Sequence, residues 1–266
     1  DSATRTDAAL AKVTAIQHEL AKHPYPRGTR SMGDVKLTPA DLQKLAEWDT
    51  PTICNGLEIL SAEYRVKSFT VENMRCFNPK LPPIVGYART AMIRAMAPSK
   101  DSPEEAKAMR ARYYETIAAD PAPSISVIQD LDSTPGFGAF WGEVNTSIHK
   151  GLGCLGVVTN GSFRDIDACA PGFQLLGGKV APSHAWVHLV AIECEVDIFG
   201  MTVNPNDIIH ADQHGAVVVP NDCVKKLPGA IDLMERREAV ILKVARAPGF
   251  NVEILKKAMA DSAEIH

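Results

Sequence analysis

The sequence lacks a surplus of basic residues and has no long hydrophobic run. Lys and Arg number 28 against 32 Asp and Glu in 266 residues, so the formal net charge is −4. A mildly acidic chain does not offer the basic surface that nucleic-acid binding needs. No stretch of about 18 apolar residues occurs, so no membrane-spanning helix is predicted. We therefore expect neither nucleic acid nor a membrane as a partner.

Paired cysteines and a recognisable signal peptide are also missing. None of the six cysteines is spaced as the C-x-x-C of redox and zinc motifs. In a chain of this length they are interpreted as reduced, mostly buried thiols. The lack of a signal peptide favours a cytoplasmic protein. Because the sequence begins at Asp1 and not at Met, an export signal that has been removed stays an alternative.

The hydrophobic pattern predicts an α/β domain preceded by a helical arm. Residues 7–22 have the spacing of an amphipathic helix, and a Pro/Gly-rich connector follows. We therefore predict an arm and linker at 1–35 and one domain at 36–266. Helices are predicted to begin at 39 and 51 and to span 103–119, 143–150, 222–245 and 251–260. Strands are predicted at 84–95, 124–130, 155–159, 190–199, 207–211 and 215–219.

Three motifs that can indicate other functions do not fit their surroundings. GLGCLG at 151–156 matches a dinucleotide fingerprint, but the helix precedes it and the strand follows, the reverse of a Rossmann unit. His184/His188 and His210/His214 have the i, i+4 spacing of zinc ligands. The first pair lacks the Glu of H-E-x-x-H, and the second spans a predicted strand end and turn. No G-x-S-x-G elbow is present. The segment around His184 could still line a substrate pocket.

Arg164 and Asp165 are the candidate catalytic residues. They follow the predicted strand 155–159, and groups just past the carboxyl end of a strand line ligand clefts in open α/β structures. Gly142 and Glu143 begin the preceding helix, whose free N–H groups can bind an anionic oxygen. One helix and one strand separate Glu143 from Arg164. The chain therefore returns to the same edge, where Glu143 and Asp165 could face one cavity.

These residue types predict metal-assisted chemistry on a carboxylate. Asp and Glu are hard oxygen ligands suited to Mg²⁺ or Mn²⁺, which keep several waters and need one or two protein carboxylates. Arg164 would bind a substrate carboxylate with two hydrogen bonds. A small 2-oxo acid could use both features. The alternative is structural, because adjacent Arg and Asp often form a local ion pair and Glu143 suits the first turn of a helix.

Six segments, in this order and spacing, resemble one family: 49–51, 86–90, 141–143, 156–165, 203–207 and 212–220. Over about residues 46–242 the chain is similar to the RraA-like family. This family contains the 4-hydroxy-4-methyl-2-oxoglutarate/4-carboxy-4-hydroxy-2-oxoadipate aldolases, and its members are often labelled dimethylmenaquinone methyltransferase-like. Its catalytic members carry an acidic residue, twenty positions and then Arg-Asp, which here are Glu143 and Arg164-Asp165.

The resemblance implies a role for each site residue. Asp165 would ligate a divalent metal, Mg²⁺ or Mn²⁺, and Glu143 would hold metal-bound water. Arg164 would bind the pyruvyl carboxylate. Backbone amides near Val144 and Asn145 would support the oxygens of an enolate. The chain is thus expected to be an aldolase or β-decarboxylase that cleaves a C–C bond of a small 2-oxo acid through a metal-stabilised pyruvate enolate.

The resemblance also implies a compact αββα sandwich of the swivelling β/β/α type. Such proteins assemble as homotrimers or homohexamers with the site between subunits. A glutamate of the neighbour's C-terminal helix, here Glu238, would reach the site. Two alternatives stay open: a non-catalytic regulatory binding protein of the same family, and a related lyase or hydratase with another substrate.

Two segments depart from the family pattern. Asn160-Gly161 stands where the family usually has Asp-Gly, which removes a charge near the expected metal. Residues 173–188 carry His184, Trp186 and His188 where apolar or small residues are common. The second departure predicts a change in substrate choice.

Overall fold

A computed structural model describes residues 36–266, of which Leu37–His266 form one compact unit. The predicted helix at 7–22 and its arm, 1–35, lie outside the described residues. Six α-helices occur in the described part: α1 (Pro39–Leu45), α2 (Thr50–Leu60), α3 (Pro103–Ala118), α4 (Glu143–Gly151), α5 (Leu227–Ala245) and α6 (Val252–Ala263). Among these helices none is long and apolar enough to cross a lipid bilayer.

The strands of the described part form three sheets. They are β1 (Arg75–Cys76), β2 (Ile84–Arg94), β3 (Ser124–Asp130), β4 (Ala139–Trp141), β5 (Cys154–Thr159), β6 (Ser162–Phe163), β7 (Gln174–Gly177), β8 (Lys179–Val180), β9 (His188–Ile192), β10 (Val196–Ile198), β11 (Met201–Val203), β12 (Ile208–Asp212) and β13 (Gly215–Val219). The largest sheet has the order β1-β7-β5-β3-β2-β12-β13, and β9 pairs with the last part of β2. Strands β7, β5, β3 and β2 are parallel, whereas the outer strands are antiparallel. β4, β6 and β8 form a small parallel sheet, and β10 and β11 form a hairpin.

Strand β2 shows how the large sheet separates two kinds of core. Val85 and Tyr87 pack with side chains of α1, α2 and α5, while Ile84 and Ala88 point to the other face, as alternation along a strand requires. That inner face shares one cluster with β3, β5, β7, β12, β13 and the β10–β11 hairpin. Because strands from both ends of the sheet meet in this cluster, the sheet curls around it. The predicted α/β class is confirmed.

Two predicted boundaries were wrong. The strand predicted at 190–199 is divided between β9 and β10, because Glu193 between them has a left-handed backbone, φ 53°. The helix predicted at 222–245 begins at Leu227. Before it, the Cys223 N–H donates to the Pro220 carbonyl and the Lys226 N–H to the Cys223 carbonyl. Both hydrogen bonds span three residues, as in a turn, so this stretch is not yet α-helical. Apolar periodicity does not distinguish such turns from the first turn of a helix.

A buried network holds α4 against α3 and β3. The Nδ1 atom of His149 is 2.6 Å from the Asn145 carbonyl, and its Nε2 atom is 2.8 Å from the Tyr113 hydroxyl. The same hydroxyl is 2.9 Å from Ser126 Oγ. A carbonyl only accepts, so Nδ1 carries the proton and Nε2 accepts one from Tyr113. Burial, which outweighs the Asn145 hydrogen bond, lowers the pKa of His149 to about 4. The ring is therefore neutral in the folded protein at neutral pH.

This burial predicts a pH-dependent stability. In the unfolded chain the pKa of His149 has its ordinary value of 6.5, so the ring is protonated below that pH, whereas in the folded chain it stays neutral until about pH 4. Its contribution to the free energy of unfolding is therefore complete above pH 6.5 and is lost as the pH falls toward 4. Between pH 7.5 and pH 5 we expect a loss of about 2 kcal/mol. Urea unfolding at both pH values measures it.

His149→Gln serves as the reference for this measurement, because other groups also titrate in this range. The variant should be less stable than the wild type at pH 7.5, and its stability should depend less on pH by about the same 2 kcal/mol. Equal pH dependence of the two proteins would contradict the assignment.

Candidate active site

Arg164 and Asp165 lie just beyond the carboxyl end of β5, next to the ladder between β4 and β6. The Arg164 N–H donates to the Trp141 carbonyl at 2.9 Å and so extends that ladder. Asp165 then adopts a left-handed backbone, φ 51° and ψ 39°, a region in which Asp is several-fold enriched among non-glycine residues. Its carbonyl accepts hydrogen bonds from the N–H groups of Ala168 and Cys169. The chain therefore turns sharply at Asp165, beside the start of α4.

Gly142 lies directly against the two side chains. A Cβ atom at this position would be 2.7 Å from Asp165 Oδ2 and 3.2 Å from Arg164 Cγ. The Arg164 Nε and Asp165 Oδ2 atoms are 3.4 Å apart, and the side chains are 36% and 45% exposed, so this ion pair adds little to stability. The missing side chain of Gly142 thus lets a guanidinium and a carboxylate reach the end of a helix.

The first turn of α4 offers backbone donors at the same place. Gly142 is the N-cap residue and makes no side-chain hydrogen bond to the turn, so no side chain caps the first N–H groups. Those groups and the helix dipole favour an anionic oxygen. Glu143 is exposed. Burial raises the pKa of the Cys169 thiol, and Asp165 and Glu143 raise it further. Both carboxylates therefore act electrostatically on the same thiol.

A cleft of about 430 Å³ opens beside this group. This is within the usual size range of small-molecule sites. Arg110 and Tyr114 line it from α3, and the Tyr114 hydroxyl donates to Asn145 Oδ1 at 3.1 Å, which joins α3 to the first turn of α4. With Arg164 and Asp165, the cleft contains two guanidinium groups and one carboxylate. This balance of charge suits an anionic ligand.

The last part of the cleft wall is the turn at 183–188, from which His184, Ala185, Trp186 and Val187 line the cleft. The Ser183 carbonyl accepts from the Ala139 N–H at 2.9 Å, and the Trp186 N–H donates to the Ala95 carbonyl at 3.1 Å. These hydrogen bonds fix the turn at both ends.

Gly138 allows the turn to pack directly on the chain that enters β4. A Cβ atom there would be 2.5 Å from the His184 carbonyl oxygen and 2.6 Å from Ala95 Cβ. Trp186 is 63% exposed at the cleft, although it is a large apolar side chain. An exposed aromatic ring in a cleft is a common recognition element.

The structure brings together most of the predicted site residues. The residues that line the cleft as predicted are Gly142, Val144, Asn145, Arg164 and Asp165. Glu143 is adjacent to the cleft but does not line it. Glu238 is exposed on α5 and is also not part of the lining within the described chain. The roles assigned to these residues stay predictions.

Sequence reasoning did not identify Arg110 and Tyr114. Their i, i+4 spacing places them on one face of the predicted helix, but nothing in the pattern shows which face meets a cleft. Asn160 does not line the cleft. Its Oδ1 accepts from the Asp130 N–H at 2.6 Å and its Nδ2 donates to the Asp130 carbonyl at 3.0 Å. The amide therefore links the end of β5 to the end of β3, a pair of bonds that a carboxylate could not make.

The ring nitrogens of His210 are not available to a metal ion. His210 is buried, with Nδ1 at 3.0 Å from Thr50 Oγ1 and Nε2 at 3.0 Å from the Trp48 carbonyl, so both ring nitrogens are engaged. Within residues 36–266 no group of three or more His, Cys, Asp or Glu side chains is arranged to hold a metal. A hydrated hard cation such as Mg²⁺ needs only one or two protein carboxylates, which is the number that Asp165 and Glu143 could supply.

The sequence matches the RraA-like family (Aldolase/RraA) over residues 50–218, a range that includes Glu143, Arg164 and Asp165. This match covers more than half of the chain. The chain belongs to the RraA-like family. The predicted family is thereby confirmed, and the α/β fold described above, with its curled sheet and flanking helices, matches that of an RraA-family structure.

Solved structures share the RraA-like fold. An uncharacterized protein from Pseudomonas syringae pv. tomato aligns with a TM-score of 0.64 and 21% identity over 85% of this chain and 95% of its own. RraAS2 from Streptomyces coelicolor, described as an unusual member of the RNase ES inhibitor RraA family, aligns with a TM-score of 0.60 and 20% identity over 76% and 96% of the two chains. At these identities the likeness shows the fold alone.

One curated relative is longer than this chain. Protein DlpA of Legionella pneumophila is 31% identical over 124 residues, which are 42% of this chain. The match spans 19% of DlpA, about a fifth of its length.

The close packing at Gly142 predicts that a methyl group at this position lowers ligand affinity at the cleft more than it lowers the free energy of unfolding. In Gly142→Ala the new Cβ would displace Asp165 and Arg164, so we expect a small planar dianion such as oxalate to bind at least about tenfold more weakly. The free energy of unfolding should fall by only about 1 kcal/mol, because half-exposed side chains move. Calorimetric titration and urea unfolding measure the two effects.

Gly229→Ala is the matched control, because nothing lies within 4 Å of a Cβ at this position in the first turn of α5. It should bind oxalate as the wild type does and should be slightly more stable, since alanine favours helix over glycine by up to about 1 kcal/mol. Wild-type affinity in Gly142→Ala would refute the role of this contact.

Proposed function

We propose that this protein is a divalent-metal-dependent carbon–carbon lyase that releases pyruvate from a small 2-oxo acid, by aldol cleavage or β-decarboxylation. One observation carries the proposal: Arg164 and Asp165 meet the uncapped first turn of α4 in a cleft of small-molecule size. A guanidinium, a carboxylate and free backbone donors are the groups that recognise a carboxylate beside a carbonyl. Membership in a family named for an aldolase supports the same reaction.

Arg164 binds the substrate carboxylate in this proposal. Its guanidinium has a planar fork of donors that matches a carboxylate, and within the described residues Asp165 is its one side-chain partner, at 3.4 Å. The N–H groups near Val144 and Asn145 are preorganised to donate to an oxygen that gains negative charge. Because these donors belong to a helix that His149 and Tyr114 hold in place, little reorganisation is needed when that charge develops.

Asp165 and Glu143 would hold the Mg²⁺ or Mn²⁺ ion, with water as its remaining ligands. The bound ion supplies Lewis-acid stabilisation of negative charge at the keto oxygen. Asp165 is suited to hold an ion because its backbone is fixed by the left-handed turn and two N–H donors to its carbonyl.

The metal-dependent reaction is tested by measuring pyruvate release from 4-hydroxy-4-methyl-2-oxoglutarate and from oxaloacetate. We expect release with Mg²⁺ and none with a chelator. Asp165→Asn should lower kcat/KM at least about 100-fold, since Lewis-acid stabilisation is worth several kcal/mol. Asparagine also tolerates the left-handed backbone, so this variant removes the charge and keeps the turn.

Asp167→Asn is the control for charge in the same turn, because Asp167 is exposed and does not line the cleft. It should retain the activity of the wild type. A wild type that releases no pyruvate from either substrate, and binds no Mg²⁺ in calorimetry, would favour the non-catalytic alternative. Mg²⁺ binding without pyruvate release would point to a lyase or hydratase of another 2-oxo acid.

We also propose that the site is completed by a neighbouring subunit in a homotrimer or homohexamer. Large apolar side chains at the cleft mouth support this: Val144 is 70% exposed and Trp186 63%. Light scattering should give three or six times the 28.7 kDa chain mass. If Glu238 reaches the neighbour's site, mixing inactive Glu238→Ala and Asp165→Asn proteins under subunit exchange should restore part of the activity. A monomer would contradict the proposal.

A further inference from the structure

His184 lines the same cleft as Arg164 and Asp165. Aldol cleavage requires a group that removes a proton from a hydroxyl and returns it to carbon, and neither Arg164 nor a metal-binding Asp165 is suited to both steps. An imidazole is the side chain that most often performs such transfers.

The ring of His184 has a defined tautomer. Its Nδ1 atom is 2.7 Å from the Ala185 carbonyl oxygen. Because a carbonyl can only accept, Nδ1 carries the proton of the neutral ring and Nε2 keeps its lone pair. Among the described residues, Nε2 makes no hydrogen bond. The neutral ring therefore presents a proton acceptor at a surface of the cleft.

The backbone that carries His184 is held in one conformation. The Ala185 N–H donates to Ser183 Oγ at 3.0 Å, and the Val187 N–H donates to the His184 carbonyl at 3.0 Å. Ala185 between them has a left-handed backbone, φ 47°. Catalytic side chains need such fixed supports, because small displacements reduce their effect strongly.

Strand β4 sets the distance between the two ends of the cleft. The turn at 183–188 packs on Gly138, and the Arg164–Asp165 pair packs on Gly142. Four residues of extended chain span about 13 Å. Side chains that extend from both ends into this interval can meet opposite ends of one small hydroxy-oxo acid.

We propose that His184 is a catalytic proton-transfer residue of the aldol cleavage, an inference that rests on the function proposed above. With a 4-hydroxy-2-oxo acid, Nε2 takes the proton of the C4 hydroxyl. The C4–O bond becomes a carbonyl as the C3–C4 bond breaks, and its electron pair stays on the three-carbon fragment as the enolate. Protonated His184 then returns the proton to C3. Pyruvate and a carbonyl compound leave, and no oxidant or reductant is needed.

Other charged groups share the cleft with His184. They are Arg110 on α3 and Arg164 and Asp165 beside α4. A guanidinium has only N–H donors and no acceptor atom, so neither arginine can take the hydroxyl proton. His188 offers a matched comparison, because its Nδ1 is also 2.7 Å from a carbonyl, that of Trp186, while the ring lies on β9 and does not line the cleft.

The test compares His184→Asn with His188→Asn in the full-length protein with Mg²⁺. Asparagine can still donate to the Ala185 carbonyl but has no second ring nitrogen. We expect His184→Asn to lower kcat for cleavage of 4-hydroxy-4-methyl-2-oxoglutarate about 100-fold or more. Oxaloacetate decarboxylation has no hydroxyl proton to remove and needs only protonation of the enolate, which water can also supply, so its kcat should fall less than about tenfold. His188→Asn should leave both reactions unchanged.

A second measurement separates proton transfer from support of the fold. Added imidazole should raise aldol cleavage by His184→Ala at least about tenfold, because it replaces the missing ring as a proton carrier. Aldol cleavage by His184→Asn within about threefold of wild type would overturn the proposal. So would equal losses in both reactions without rescue. If the wild type releases pyruvate from neither substrate, the proposed lyase function itself fails, and the role of His184 with it.

Discussion

The cleft depends on the absence of a side chain at Gly142. Here a helix begins where a strand of the small sheet ends, and the Arg164–Asp165 turn crosses directly over that junction. Any Cβ atom would separate the carboxylate from the backbone donors of the helix. The hydrogen bond from Arg164 to Trp141 and the left-handed backbone of Asp165 bring the turn to this position. Two charged side chains and one helix end thereby share a space that ordinary packing would fill.

The rest of the molecule holds that junction still. His149 connects α4 through Tyr113 to β3, and its neutral state makes this connection possible without a buried charge. Asn160 joins the ends of β5 and β3 on the other side of the same loop. These are short polar contacts, buried at His149 and partly buried at Asn160, rather than surface ion pairs, so salt weakens them little. The site is therefore supported by groups that do not face it.

Much of this arrangement could be predicted from the sequence. The strand at 124–130 and the helix at 103–118 follow from the spacing of apolar residues and from helix-start signals. The spacing of the family motif identified Glu143, Arg164 and Asp165 as one group. The division at Glu193 could not be predicted, because a single left-handed residue leaves the apolar alternation almost intact. Arg110 and Tyr114 were missed because the face a helix turns to a cleft is decided by tertiary packing. Asn160 was interpreted as the loss of a carboxylate charge. Its hydrogen bonds to the backbone N–H and carbonyl of Asp130 became visible only in three dimensions.

Gly138 and Gly142 flank β4, and the two halves of the cleft that pack on them can diverge in sequence to different extents. The turn at 183–188 is attached to the scaffold by backbone hydrogen bonds to Ala139 and Ala95, not by its own side chains. Substitutions at exposed positions of the turn such as Trp186 can therefore accumulate without releasing it. The half of the cleft near Gly142 tolerates fewer substitutions. Its geometry depends on the missing side chain of Gly142 and on the side chains of Arg164 and Asp165 that pack against it. A gene of this kind can acquire new substrates at one end of a three-residue strand while inheriting the Arg164–Asp165 pair unchanged at the other.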